Sequence, residues 1–416
     1  MRMLSGLGHS KYFPLVVVFT LAVFQSCQKG PDEMSREELE KELSNTETYD
    51  AILTFANNTG IKTDKFSSDG EKAPVFKLLE EVGYGHKPAL KYTEKVVKAD
   101  TTELRKVAEE IAGGQSVDKV LAKLEPVFPV YHNLKTHYTR LVKENKTDSA
   151  AMVAKSLNAY RWIKRQSKDA PRFVMVNIRG AYLTAMDSAG QNVLSMRTVV
   201  GKNDTQTPTI DTYATSIVTH PYWNVPKSIA IKEMFPKAMN DPEYLSRNRI
   251  EIIDNKGQVV DPADIKWDEL TAEKFPYRFR QETGGDNSLG LLKVEIKNPL
   301  AIYLHDTNAR YLFNSNQRWR SHGCVRVQRP TDLANYMAGD KILDNDFMTE
   351  PDTTSVPPKW HKLKTRVPVF LFYLGADCNE KGQLLYFPDV YKIEASSRTD
   401  LSFSRVKPAR SGEDLK

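Results

Sequence analysis

Between about residues 45 and 165 the apolar positions recur at three- and four-residue intervals, a spacing that gathers side chains on one side of an α-helix. Leu104, Val107, Ala108 and Ile111 form one such stripe, and Gly113-Gly114 stops it. Val117, Val120, Leu121 and Leu124 repeat the pattern before Pro126. Tyr131, Leu134, Tyr138, Leu141 and Val142 make a further stripe, and Val153, Leu157, Tyr160 and Ile163 the last. No histidine or carboxylate cluster with ligand spacing interrupts them. The stretch therefore reads as the core of a helical scaffold without chemistry of its own.

From Pro171 the period shortens to two. Phe173, Met175 and Val176 open a strand, a turn follows at Asp187-Ser188-Ala189-Gly190, and Val193 to Val200 reads as the next strand. Leu292, Val294 and Ile296 alternate with Lys293, Glu295 and Lys297, as on a strand with one wet face. Val367 to Tyr373 is continuously apolar and predicts a central strand. Residues 227–283 differ again, with helix formers around Ile229–Met239, many charges, and Pro236, Pro242 and Pro262. A helical block followed by a β-rich block predicts an α+β protein with an insertion in its second part.

The two ends are polar or targeting in character. Arg2 and Lys11 precede an apolar run from Tyr12 to Phe24, too short to span a bilayer comfortably and suited to a signal segment over residues 1–27. Ser26-Cys27 at its end fits a bacterial lipoprotein, in which Cys27 becomes the lipid-bearing first residue. An ordinary secreted protein and an uncleaved anchor are the alternatives. Residues 28–44 read as a polar tether, 45–165 as the scaffold, 171–390 as a second domain, and 391–416 as a polar tail.

Composition narrows the function classes. The chain has 416 residues, 40% hydrophobic and 27% charged, enough for two or three compact units. A net charge of +6 with no polybasic run among aromatics argues against a nucleic-acid binder. It is compatible with a carboxylate-rich partner such as a cell wall. Only Cys27, Cys324 and Cys378 occur, so no structural disulfide is expected, and Cys378 has no assigned task.

The chemistry concentrates in Ile302–Val327, which holds His305, Ser321, His322, Gly323, Cys324 and Arg326. A thiol is a nucleophile only as thiolate, so Cys324 needs a base or positive charge beside it, and two imidazoles are at hand. Ile302 and Leu304 alternate with Tyr303 and His305, which aims His305 to one face of a short strand. Gly323 permits a sharp turn that could point the amides around Cys324 at an oxyanion. A metal site of His305, Asp306, His322 and Cys324 is the competing reading; it lacks the usual zinc spacings. No cofactor and no metal are expected.

The elements S-H-G-C-V-R and Y-L-H-D-T resemble the catalytic signature of the YkuD-type L,D-transpeptidases of bacterial cell walls. RFVMVNI from Arg172, MRTVVGK from Met196, TPTIDT from Thr207, PYWNVPKSIAIKEMFPK from Pro221, SLGLLKVEIKNP from Ser288 and VPVFLFY from Val367 are similar to the larger, lid-bearing branch of that family. The resemblance implies a β-rich catalytic domain whose insertion at 227–283 is a helical lid, preceded by the helical scaffold. KSLNAYRWIKR from Lys155 looks like the family's connecting helix and leaves little room for a separate wall-binding module. It further implies Cys324 as nucleophile, His305 as general base oriented through the Asp306 backbone carbonyl, and His322 with the amides of Gly323 and Cys324 as oxyanion donors. Ser321 would shape the turn or meet substrate, beside Tyr303. Arg326 would take a stem carboxylate, or else close a salt bridge beneath the loop. Tyr222, Trp223 and Asn224 would line the cleft or form a structural corner.

The implied substrates are peptidoglycan stem peptides, as donor and acceptor, joined through a thioester into 3–3 cross-links. Water in place of the amine would give an L,D-carboxypeptidase, and a wall-binding lipoprotein without catalysis is the remaining class. Carbapenem-type inhibitors, a lipid anchor in the membrane and a periplasmic location in the cell envelope complete the expectation.

Overall fold

Leu39 and Leu43 stand four residues apart in a charged stretch, and that pair is enough to fold it. In the computed structural model, residues 30–66, 73–241, 243–344, 346–349 and 356–394 are described. The signal segment with Cys27 and the tail beyond residue 394 lie outside them. Residues 36–43, expected as tether, instead form α1 (Arg36–Leu43) behind a capping box of Ser35 and Glu38. Both leucines are fully buried, which stabilises by about 1.5–3 kcal/mol each. The Glu40 carboxylate accepts from the Val75 and Phe76 amides, at the first turn of a later helix. The low hydrophobicity of the stretch concealed a helix that needs only two apolar contacts.

The scaffold continues as α2 (Thr46–Asn58), α3 (Val75–Tyr84), α4 (Thr101–Ala112), α5 (Val117–Ala122), α6 (Pro129–Lys143) and α7 (Thr147–Gln166), with the two-residue strand β1 (Tyr92–Thr93) between α3 and α4. The stripes of α4 and α5 share a core with α1 to α3. α6 and α7 turn elsewhere: Tyr131, Leu134, Leu157, Tyr160 and Trp162 pack on Phe173, Phe370 and Phe372 of the sheet. Val142, placed in the α6 stripe, is 49% exposed because Leu141 takes the core position.

The second block forms β2 (Arg172–Asn177), β3 (Tyr182–Asp187), β4 (Asn192–Gly201) and β5 (Ile210–Thr219) before the insertion. β6 (Trp223–Asn224) leads into the insertion, which holds α8 (Lys227–Ile229), a π-turn at Ala230–Met234, α9 (Phe235–Asn240), α10 (Glu243–Arg247), β7 (Ile250–Ile253), β8 (Val259–Val260) and β9 (Arg278–Gln281). After it come β10 (Leu292–Ile296), β11 (Leu304–His305), β12 (Trp319–Ser321), β13 (Val325–Val327), α11 (Pro330–Ala338), β14 (Lys359–Phe372), β15 (Ala376–Cys378) and β16 (Leu384–Tyr386).

The main sheet runs β1-β5-β10-β11-β13-β4-β3-β2-β14, and β14 pairs again with β5, so the ladder closes on itself. Val174, Leu183, Ile217, Val294, Leu304, Val325 and Val369 fill one side with Leu333 and Met337 of α11. The insertion has its own core around Phe235, Leu245, Ile252 and Phe279, and its strands order β6-β9-β7-β8. The helix formers at 229–239 are helical as expected, and the rest of the insertion adds this small sheet. Tyr391 is buried and Glu394 pairs with Arg179 at 2.8 Å, so the first residues expected as tail belong to the folded part. No helix of the described residues is long and apolar enough to cross a membrane.

Candidate active site

β11 and β13 run parallel, with Leu304 opposite Val325 and His305 opposite Arg326. β10 flanks β11 antiparallel and sets Lys293 opposite His305. Side chains alternate along each strand, so Val294, Leu304 and Val325 enter the core while Lys293, His305 and Arg326 share the other face. The Val325 amide donates to the Tyr303 carbonyl at 3.1 Å, which brings Cys324 beside Tyr303 on that same face.

A tight turn presents the thiol. Gly323 sits at φ 119°, in the region that favours glycine. An added Cβ there would meet nothing closer than 3.5 Å, so the backbone angle, not space, demands glycine. The Ser321 hydroxyl donates to the Cys324 carbonyl at 2.6 Å and accepts from the Gly323 amide at 3.1 Å. The Thr207 hydroxyl donates to the Gly323 carbonyl at 2.7 Å. Ser321 is thus engaged inside the turn.

Burial pushes the Cys324 thiol up to about 11, while hydrogen bonds from Tyr303 and the charges of Lys293 and Arg326 pull it down. The thiol faces the Ala301 carbonyl at 3.6 Å. The Tyr303 hydroxyl lies near the sulfur and the Trp223 indole, and burial with help from that sulfur pushes its own titration upward. Burial also drives His305 down to about 3, helped by Arg326 and Lys293, with the carbonyls of Asp306 and Leu289 opposing. Its Nδ1 is buried and makes no hydrogen bond. At neutral pH the pair is therefore a neutral thiol and a neutral imidazole. Burial penalises both charges, and the nearby cations and hydrogen bonds offset that only in part.

Residues 171–369 match the family model described as the L,D-transpeptidase catalytic domain, YkuD. This part of the chain belongs to the YkuD family. A Haemophilus influenzae protein named "Putative L,D-transpeptidase" is 35% identical over 253 residues, 60% of this chain and 48% of that protein. The chain thus spans about half the length of the curated relative it matches. An Enterococcus faecium L,D-transpeptidase structure aligns at 9% identity over 77% of this chain and 99% of its own, with a TM-score of 0.23. A structure of an L,D-transpeptidase in complex with imipenem aligns at 14% identity over 49% of this chain and 59% of its own, also at 0.23.

Within this YkuD domain the remaining side chains take definite partners. The Asp306 carboxylate accepts from the Leu291 amide at 3.1 Å and pairs with Arg310. It leaves no space at Gly290, where a Cβ would lie 2.2 Å from Asp306 Oδ2. Asp306 therefore braces the 290–291 turn with its side chain. His322 Nε2 lies 2.8 Å from Glu233 Oε1 of the insertion. Two of the three donors assigned to an oxyanion are thus occupied here, Gly323 by Ser321 and His322 by Glu233. The Cys324 amide alone of the three has no partner among the described residues. The YkuD signature could not reveal this, since both partners are set by folding.

Arg326 makes no ion pair among the described residues, and its buried Nε has no hydrogen bond. The alternative of a salt bridge beneath the loop is not realised. Trp223 reaches both the insertion's core and Tyr303, Asn224 is exposed, and Arg280 covers the Tyr222 ring at 4.5 Å. Sequence reasoning missed Lys293 and Glu233. Lys293 was legible, because the alternation on β10 already placed it on a wet face; Glu233 is one acid among many in the insertion. Glu233→Gln removes a partly exposed pair worth about 0.2–1 kcal/mol. Amide exchange over residues 230–235 should quicken by up to about fivefold; unchanged exchange would show that the contact does not hold this segment.

Proposed function

We propose that this protein is a cysteine-dependent L,D-transpeptidase acting on peptidoglycan stem peptides. The observation that carries the reading is the convergence of Cys324, the neutral imidazole of His305 and the unpaired guanidinium of Arg326 on one face of adjacent strands. On substrate arrival His305 takes the thiol proton as sulfur attacks the carbonyl of the third stem residue. The Sγ–C bond forms, the amide C–N bond breaks, and the imidazolium returns the proton to the departing D-alanine amine. An amine of a neighbouring stem then attacks the thioester, loses its proton to His305, and leaves a 3–3 cross-link with Cys324 restored.

The Cys324 amide is the oxyanion donor available in this state, and His322 joins it when the lid releases Glu233. Tyr303, beside the sulfur and Trp223, links the nucleophile to the lid strand, and Asn224 lies at the same edge. Arg326 receives a stem carboxylate in bidentate fashion. Arg326→Gln should raise KM for a stem peptide about tenfold or more, as loss of a charge-assisted pair of roughly 1.5–3 kcal/mol, with a smaller change in kcat. A dominant kcat loss would make it a structural group.

Purified tetrapeptide muropeptides separate the outcomes. A cross-linked dimer supports transpeptidation, a trimmed tripeptide supports L,D-carboxypeptidase activity, and no product with intact protein overturns both. Carbapenems should acylate Cys324, as β-lactam carbonyls offer the same electrophile. For location we propose a lipid anchor at Cys27 on the periplasmic side of the cell envelope. The protein should partition into detergent and Cys27→Ala should release it or halt processing; unchanged anchoring of the variant would indicate a signal anchor instead.

A further inference from the structure

The catalytic face does not end at β10. Strand pairing carries one row of residues outward from Arg326 through His305 and Lys293 to Val218 on β5 and Trp360 on β14. Ile217 and Leu363 enter the core with Val294 and Leu304, so alternation puts Val218 and Trp360 on the side of His305. Lys362, two residues further along β14, faces the same way. Neighbouring strands lie about 4.8 Å apart, so the three steps from His305 to Trp360 span roughly 14 Å.

Trp360 differs from the other tryptophans. Trp162, Trp267 and Trp319 donate their indole N–H groups to Asp211, Pro262 and Ile178, and Trp223 packs against the insertion's core. Trp360 is 63% exposed, and its N–H meets no acceptor among the described residues. Lys362 is also exposed and makes no ion pair among them. A single exposed ring is unremarkable by itself. Its register with the catalytic imidazole is the independent observation that gives it a use.

We propose that Trp360, with Lys362 beside it, is a sugar-binding subsite that holds the glycan end of the donor substrate. The inference rests on the peptidoglycan reading above. A stem peptide hangs from an amino sugar through a lactyl unit. That unit and three residues, at about 3.4 Å each, reach roughly 14 Å when extended. A stem whose third carbonyl lies at Cys324 therefore brings its sugar to Trp360. The C–H face of a pyranose stacks on an indole, and its hydroxyl and acetamido oxygens accept from an ammonium. Binding energy gained so far from the reacting bond can be spent on orienting it. A tryptophan among lysines also suits an anionic membrane. The register with His305 favours substrate, because a bilayer gains nothing from alignment with the catalytic row.

The test titrates the full chain with the disaccharide of N-acetylglucosamine and N-acetylmuramic acid, read by saturation-transfer NMR. Saturable binding is expected, lost in Trp360→Ala and kept in part by Trp360→Phe. In turnover, the disaccharide-tetrapeptide should exceed the free tetrapeptide in kcat/KM by about tenfold, as one stacked aromatic contact can supply. Trp360→Ala should bring that ratio to about one, and Lys362→Gln should lower it by a smaller factor. Disaccharide binding needs no reaction at Cys324, so its outcome stands even if neither tetrapeptide is turned over. No saturable disaccharide binding, binding that survives Trp360→Ala, or a ratio that the substitution leaves in place would each overturn the proposal. So would a loss of phosphatidylglycerol-vesicle binding by Trp360→Ala, in the Cys27→Ala background, with disaccharide binding intact; the row would then be a membrane contact.

Discussion

Cys324→Ala should lose the mass increment of a bound carbapenem altogether and cut turnover of stem peptides by at least about four orders of magnitude. Removing the nucleophile of a concerted catalytic group costs up to about a millionfold, because positioning and oxyanion donors act only on an attack that no longer occurs. The fold should survive, since the change deletes a single sulfur from a half-buried side chain and the turn is held by Ser321 and Thr207. Cys324→Ser preserves the hydroxyl-sized contact to Tyr303 but remains nearly inactive, as a serine hydroxyl is a far weaker acid than a thiol. Cys378 offers no substitute: burial and the Asp377 carboxylate push its thiol up to about 12. Intact acylation of the alanine variant, read by whole-protein mass measurement, would sink the mechanism.

The face that carries this chemistry was legible because strand alternation is a local property. Leu304 and Val325 had to be buried, and that fixed Tyr303, His305, Cys324 and Arg326 on the opposite side before any contact was known. The protonation states were not legible in the same way. They follow from burial and from charges such as Lys293 that only folding brings near, which motif spacing does not display. The occupied oxyanion donors were hidden for a related reason. Ser321 captures the Gly323 amide only once the turn is closed, and Glu233 reaches His322 only from a separately folded insertion. α1 was missed because periodicity needs several apolar residues to be visible, whereas two leucines suffice when a neighbouring core already exists. The scaffold stripes and the continuous run ending β14 stood out because each buries a whole face.

These protonation states make the role of His305 separable from that of the resting thiol. With the thiol pushed up to about 11, roughly one molecule in ten thousand carries a thiolate at pH 7. Alkylation by iodoacetamide should therefore climb about tenfold per pH unit from 7 toward 10, with no plateau near the ordinary cysteine range. His305 is neutral throughout that interval and supplies no charge to hold a thiolate. His305→Ala should thus leave the alkylation profile nearly unchanged, while carbapenem acylation falls by about a hundred- to ten-thousandfold, the usual cost of losing a general base. Lys293→Met should do the opposite, shifting the alkylation profile upward because a cation that favours the thiolate is gone. Measurements belong above pH 7. Below about 6.5 the unfolded chain takes up a proton at position 305 that the folded chain accepts only near 3, so acid favours unfolding at this site across that window. If His305→Ala moves the alkylation curve by a full unit, the imidazole is charged at rest and the neutral-pair mechanism is wrong. If acylation is untouched as well, the proton leaves by another route, and the Tyr303 hydroxyl at the sulfur is the group to replace next.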